Sequence, residues 1–397
     1  MAVPKLRFKE FDGDLTESKL VELTLWASGG TPAKDIPEYW GDDIPLISGA
    51  SMHTNQLYES DVKITRLGLQ KGSKLAPKDS ILILVRGSML FNKIPMGITL
   101  GDVAFNQDVK CIRPKQELAP QFLFQWLHAK ENTIQNKVTA TGIGAGKLDT
   151  ADLQNLKLYK PSSEEQTKIA SFLSNVDEKI SQLTQKHDLL SQYKQGMMQK
   201  LFSQQIRFKA DDGSEFGEWE EKELKDVAEI NPKAKKLPAN FIYIDLESVE
   251  KGQLLLQKNI ELKDAPSRAQ RLLTKGDVLF QMVRPYQQNN YYFNLNGEYV
   301  ASTGYAQIRT KLNSKFIYYT LHEKTFLDEV MNRCTGTSYP AINSSDLSSI
   351  EIFIPCLKEQ IKIANFLSAI DEKIEVVAQQ IEQAKTWKKG LLQQMFV

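Results

Sequence analysis

The stretch TGIGAGKLDTADLQ, from Thr141 to Gln154, runs a cluster of glycines into a lysine, as do loops that wrap backbone amides around a phosphate. A loop of the form GxxxxGK[ST] needs glycine where Thr141 stands and a metal-binding hydroxyl where Leu148 stands, so the match fails at both places. The dinucleotide pattern GxGxxG fails as well: Lys147 takes the place of the third glycine, and no clean strand enters the turn. A second grouping, DEK at Asp177 and again at Asp371, sets two carboxylates beside a lysine, the ingredients of a metal-dependent nuclease. Both triplets fall on helical segments, where such charges are expected on the solvated face. The three cysteines (Cys111, Cys334 and Cys356) form no CxxC pair, and the four histidines (His53, His128, His187 and His322) are isolated. Neither a zinc site nor a disulfide framework is indicated. The expectation is a chain with no catalytic residues and no metal site.

The dominant feature is an internal repeat. PSSEEQTKIASFLSNVDEKISQLTQKHDLLSQYKQGMMQKLFS at Pro161 returns as PCLKEQIKIANFLSAIDEKIEVVAQQIEQAKTWKKGLLQQMFV at Pro355, with 18 of 43 positions identical and no gap. A period of 194 residues is far beyond a solenoid unit and marks duplication of a whole domain with its adjoining segment. In the first copy Ile169, Leu173, Val176, Ile180, Leu183 and Leu190 step by four and three, with polar interruptions at His187 and Lys194. In the second, Ile363, Leu367, Ile370, Ile374, Val377 and Ile381 keep the same phase, interrupted at Lys388. These are heptad seams. A helix from about Glu164 to Leu201 would be roughly 57 Å long at 1.5 Å per residue, and its apolar stripe needs a partner. The other copy is the expected partner; two separate helices, each packed on its own domain, are the alternative.

Weaker matches run collinearly through the rest of the chain. LRFKEFDG at Leu6 answers IRFKADDG at Ile206, KDSILILVRG at Lys78 answers GDVLFQMVRP at Gly276, and Thr141 and Gly142 answer Thr335 and Gly336. On this alignment Arg86 falls opposite Arg284. The glycines of the opening stretch therefore belong to a loop at the end of a domain. Short β-rich runs such as SILILV and NFIYIDL, followed by helical stretches such as PQFLFQWLHAK, predict α+β domains. The expected division is a domain over 1–160, a helix over 161–203, a second domain over 204–354 and a second helix over 355–397. Two equivalent halves close as a pseudo-twofold repeat when the helices run antiparallel as a coiled coil, which would bring the end of the chain to the first domain.

With these elements in place, the chain resembles the specificity subunits of type I restriction and modification systems. The resemblance spans nearly the whole sequence. It rests on SGGTPAKDIPEYWGDDIPLISGASM at Ser28, on the two EQxKIAxFLSxxDEKI blocks at Glu165 and Glu359, and on the order domain, helix, domain, helix. The second domain departs from the pattern, having NPKAKKLPANFIYIDLESVEKG from Asn231 in place of the Ser28 stretch. The resemblance implies a non-catalytic subunit with two target-recognition domains, each reading one half of a bipartite site on double-stranded DNA. It implies two methyltransferase subunits docked on the helical scaffold, with restriction (motor-nuclease) subunits joining through them. S-adenosylmethionine, ATP and Mg would belong to those partners, with no cofactor in this chain. An adenine methyltransferase itself needs an (N/D)PP(F/Y/W) tetrad, and NPKA at Asn231 does not supply one.

Asparagine and glutamine can contact adenine bidentately and arginine can contact guanine, so VRPYQQNNYY offers Arg284, Gln287, Gln288 and Asn289 as DNA contacts in the second domain, against a plain polar hairpin tip. In the first domain the candidates are Arg86, Ser88, Asn92 and Lys93, with Thr31, Ser51 and Lys147 as loop contacts to phosphates or bases. Reading faces about 34 Å apart on a duplex suit two domains held by a long helix pair.

Composition bounds the answer. A chain of 397 residues with 41% hydrophobic and 25% charged residues predicts two or three soluble domains. The opening MAVPKLRFKEF lacks a hydrophobic signal region and no run reaches membrane-span length, so a cytoplasmic protein without membrane contact is expected. A net charge of +1 gives no overall basic field, which favours the other reading, a coiled-coil assembly protein whose two domains bind proteins or glycans. The family blocks favour the DNA-reading scaffold.

Overall fold

The computed structural model describes residues 3–397 apart from Ile143 and Lys235. The chain divides into two compact units, Met1–Thr184 with Ala378–Val397, and Gln185–Val377. Drawn by packing rather than by repetition, the boundaries run through the middle of both long helices, Ser163–Phe202 and Leu357–Met395.

In the first unit, Ile81–Leu84 is buried on both faces, as its unbroken apolar run requires of a central strand. It lies in a five-stranded sheet of order Thr24–Ser28, Val109–Pro114, Ile81–Leu84, Met96–Thr99, Gln56–Leu57. A four-stranded sheet has the order Lys63–Ile64, Trp40–Ile47, Val103–Phe105, Lys74–Ala76, with its middle pair parallel. The helix Pro120–Ala129 starts on proline at its first turn and buries Phe122 through Leu127 in the unit's core.

The second unit repeats this plan. Ala228–Ile230, Tyr305–Thr310, Val278–Gln281 and Tyr291–Tyr292 form one sheet, and Lys258–Glu261, Asn240–Ile244, Tyr299–Ser302 and Ala269–Leu272 form the other, again with a parallel middle pair. Hydrogen bonds fix which residues correspond. Val109 pairs with Leu84 as Tyr305 pairs with Gln281, and Leu148 N donates to Val85 O as Ile342 N donates to Met282 O. Leu84 and Gln281 are therefore counterparts.

The EQxKIAxFLSxxDEKI blocks turn most of their shared residues inward. Glu165 accepts a bidentate pair from Arg7 (Nε to Oε1 and Nη2 to Oε2, both 2.7 Å), and Glu359 accepts the same from Arg207 at 3.1 and 2.8 Å. This is why LRFKEFDG and IRFKADDG recur: each carries the arginine that closes its domain onto the start of the adjoining helix. Gln166 and Gln360 perform the next join, accepting from the backbone N of Ala119 and of Asn313 at the head of a domain helix.

The seams are graded. Ile169, Leu173, Val176 and Leu183 are buried, while Ile180 and Leu190 are half-buried; Ile363, Leu367, Ile370, Val377 and Ile381 are buried and Ile374 is half-buried. In the first unit Ile169, Leu173 and Val176 share one core with Leu391, Leu392 and Met395, so the start of the first helix lies with the end of the second. In the second unit Leu201 shares a core with Ile363 and Leu367, the end of the first helix with the start of the second. The helices thus pair in opposite senses, and the chain end belongs to the first unit, where Leu6 N donates to Gln394 O.

One expectation is corrected here. Glu178, Lys179, Glu372 and Lys373 of the DEK triplets are exposed as expected, but Asp177 and Asp371 are half-buried and engaged. Asp177 accepts from Gln125 (2.7 Å) and from Lys388 (2.5 Å); Asp371 accepts from Tyr319 (2.7 Å) and from Lys194 (2.6 Å). Lys194 and Lys388, which interrupt the heptads, are the partners of these aspartates, because an ammonium in a seam must find a counter-charge.

Candidate nucleic-acid interface

In the first unit, Arg86–Gly87 continues beyond the central strand and pairs antiparallel with Gly146–Lys147, setting Arg86 opposite Lys147. Gly146 explains part of the glycine-rich stretch. A Cβ there would meet Leu90 Cβ at 2.9 Å and Gly87 O at 3.1 Å, so the ribbon closes only around glycine. The ribbon borders a cavity lined by Arg86, Gln107, Lys110, Lys147, Asp149 and Thr150. Thr31 joins through Gln107, to whose Oε1 its hydroxyl donates at 2.7 Å, and Lys110 Nζ donates to Ser28 Oγ at 2.6 Å. Arg86, Lys147 and Thr31 are thus gathered around a cationic concavity suited to phosphate oxygens. Ser88 opens the turn Ser88–Phe91 against this ribbon, and Asn92 and Lys93 follow it in exposed positions. Ser51 is spent locally, its hydroxyl donating to Ser48 O and accepting from Ser48 N. Gln107 and Lys110 escaped sequence reading; the cue for Lys110 was a single polar position inside the apolar run VKCI.

The matching place in the second unit is built differently. Val283, not Arg284, occupies the position of Arg86, bridging Ala341 as Arg86 bridges Lys147. The sequence alignment of the two arginines is therefore off by one residue. Arg284 instead turns into the left-handed region (φ 53°), and its guanidinium lies 4.2 Å from the centroid of the exposed Tyr339 ring. The segment that follows is the tip of the antiparallel hairpin formed by Val278–Gln281 and Tyr291–Tyr292, and it is cross-braced from within. Gln281 Nε2 donates to Val283 O and to Gln287 Oε1, both at 2.8 Å, and Gln281 Oε1 accepts from Asn289 N at 3.1 Å. Asn289 Oδ1 accepts from Lys251 N at 3.0 Å, and Gln288 is left-handed (φ 51°).

Beneath the loop, buried Asn290 accepts from Gln281 N and meets His322 Nε2 through its amide nitrogen at 3.4 Å. His322 Nδ1 lies 2.7 Å from Tyr318 O, which only accepts, so the proton sits on Nδ1 and Nε2 is the acceptor. Burial, with Lys194 nearby, pushes the imidazole down to about 4. Because the unfolded chain takes up this proton near pH 6.5 and the folded chain does not until about pH 4, stability present above pH 6.5 drains away as pH falls between these values. The loss at pH 5 should reach about 2 kcal/mol. Urea unfolding of the wild type and of His322→Gln at pH 7.5 and 5.0 checks this, and an equal acid loss in both would contradict it. Among the described residues no group of three or more His, Cys, Asp or Glu side chains is placed to hold a metal, and no helix is long and apolar enough to cross a membrane.

Comparison with known proteins agrees with this duplicated plan. The family model for the type I restriction modification DNA specificity domain matches twice, over residues 13–192 and 217–386. The type I restriction enzyme MjaVIII specificity subunit of Methanocaldococcus jannaschii is 27% identical over 409 residues, covering 97% of this chain and 94% of the relative. The EcoR124I/EcoR124II specificity subunit of Escherichia coli is 29% identical over 182 residues, 45% of each chain. Among solved structures, the S subunit of a type I restriction-modification system from M. genitalium superposes with a TM-score of 0.62 at 16% identity, covering 100% of this chain and 99% of that one.

Proposed function

The chain belongs to the type I restriction-modification DNA specificity family, with two copies of its domain, and from that premise we propose that it is the sequence-reading subunit of a methyltransferase and restriction complex. Each compact unit reads one half of a bipartite, asymmetric site on duplex DNA. The observation that carries this reading is the repeated placement of polar and cationic side chains just past the central strand of each unit: exposed Arg86 and Lys147 beside the end of Ile81–Leu84, and exposed Gln287 with half-buried Arg284, Gln288 and Asn289 after Val278–Gln281. The two sets share a location and differ in chemistry, which suits two unlike half-sites. The chain itself performs no bond-making step. Methyltransferase subunits dock on it, two per chain, and restriction subunits join through them; S-adenosylmethionine, ATP and Mg act in those partners.

A domain exchange tests the reading. Residues 204–354 are replaced by the second domain of another family member that carries the arginine and tryptophan equivalent to Arg207 and Trp219, since both contact Glu359. Methylome sequencing of cells expressing the chimera with its methyltransferase should show one half of the methylated site changed and the other kept. A change in both halves would refute independent reading, and a chain that never directs methylation would refute the role.

A further inference from the structure

Two side-chain acceptors in the loop of the second unit are already engaged. Gln287 Oε1 is taken by Gln281, and Asn289 Oδ1 by the backbone of Lys251. These bonds also orient both amides, leaving the NH2 group of each, together with the Arg284 guanidinium, for a ligand. Bidentate contact with adenine needs one acceptor and one donor from the same amide, whereas guanine offers two acceptors, O6 and N7, on its major-groove edge. Resting on the reading above, we propose that Arg284, Gln287 and Asn289 present their N–H donors as the group that reads guanine in the half-site of the second domain, and that Gln281 is the positioning residue that sets it.

Gln281 suits that role because it is buried, 2% exposed, and holds three points of one loop. It spans the two left-handed residues, Arg284 and Gln288, whose conformations need outside support. Its counterpart Leu84 offers no such bonds and packs toward Gly49 and Gly87. The two readers are thus set by different means, one by hydrogen bonds and one by apolar packing.

The test uses the full chain assembled with its methyltransferase subunits, and methylome sequencing as the readout. The wild type should give a two-part motif with guanine required at one or more positions of one half. Gln287→Glu keeps the oxygen that Gln281 grips but replaces the outward NH2 with an acceptor. It should cut methylation of the guanine site about tenfold or more and shift preference at that position toward cytosine, whose N4 donates. Gln281→Leu should relax the same position about tenfold while leaving the other half-site unchanged, a pattern that a mere loss of folded protein would not give. If Gln287→Glu retains the wild-type guanine preference, or if the half-site altered by Gln281→Leu holds no guanine on either strand, the assignment is wrong although the bipartite reading stands. A wild-type complex without a two-part motif would overturn both.

Discussion

Glu359→Ala is expected to destabilise the unit Gln185–Val377 by about 3–5 kcal/mol, the cost of removing one partner from a buried charge pair. Glu359 is fully buried and holds Arg207 by two hydrogen bonds and the Trp219 indole N–H by a third at 3.2 Å. Without it, the guanidinium keeps only the carbonyl of Gly217, and the indole nitrogen is left inside the core with no acceptor. Glu359→Gln, which can still accept a hydrogen bond, should cost clearly less. Urea denaturation with an unchanged slope would isolate the stability term. A loss below about 1 kcal/mol, typical of exposed ion pairs, would show that the clamp is ornamental.

Leu173→Ala should cost about 2–5 kcal/mol, since a fully buried leucine loses both its transfer free energy and the packing around the cavity it leaves. The same change at Leu190, seven-residue periodicity notwithstanding, should cost on the order of 1 kcal/mol, because that side chain is only half-buried. The contrast follows from where each residue packs. Leu173 belongs to a core shared with the first domain and with Leu391 and Leu392, whereas Leu190 lies in a stretch flanked by the exposed Leu189 and Tyr193. Equal losses at the two positions, read by thermal or urea unfolding, would mean that the seam is a uniform coiled coil in energetic terms.

Much of the architecture was legible because duplication wrote it twice. The heptad positions from Ile169 to Leu183 announce a helix whatever else the chain does, and a near-copy 194 residues later announces its partner. The α+β character of the domains followed from runs such as SILILV, whose burial on both faces is the physical meaning of an unbroken apolar strand. The roles of polar residues were less legible. Asp177 and Asp371 read as solvated charges because their partners, Lys388 and Lys194, stand more than 170 residues away in sequence, beyond any local pattern. Ser51 looked available, but its hydroxyl closes a turn with Ser48 three residues back. Arg86 and Arg284 aligned by identity, yet the ladder places Val283 opposite Ala341, and one residue of slip is invisible without hydrogen bonds. The acceptors of Gln287 and Asn289 were hidden for the same reason: composition states which groups a loop has and not which of them it has already used.

The Asp177–Lys388 and Lys194–Asp371 bridges treat the two halves of the chain as interchangeable parts. Each half contributes one aspartate early in its helix and one lysine late, and each lysine is claimed by the aspartate of the other half. A half that carries both letters can therefore be joined to any other half that carries both, and two bridges form without adjustment. Recombination within such a family could trade whole halves at the middle of the chain while both bridges survive. A half that lost its aspartate would strand a lysine belonging to its neighbour, so the penalty would fall on the inherited partner as much as on the half that changed.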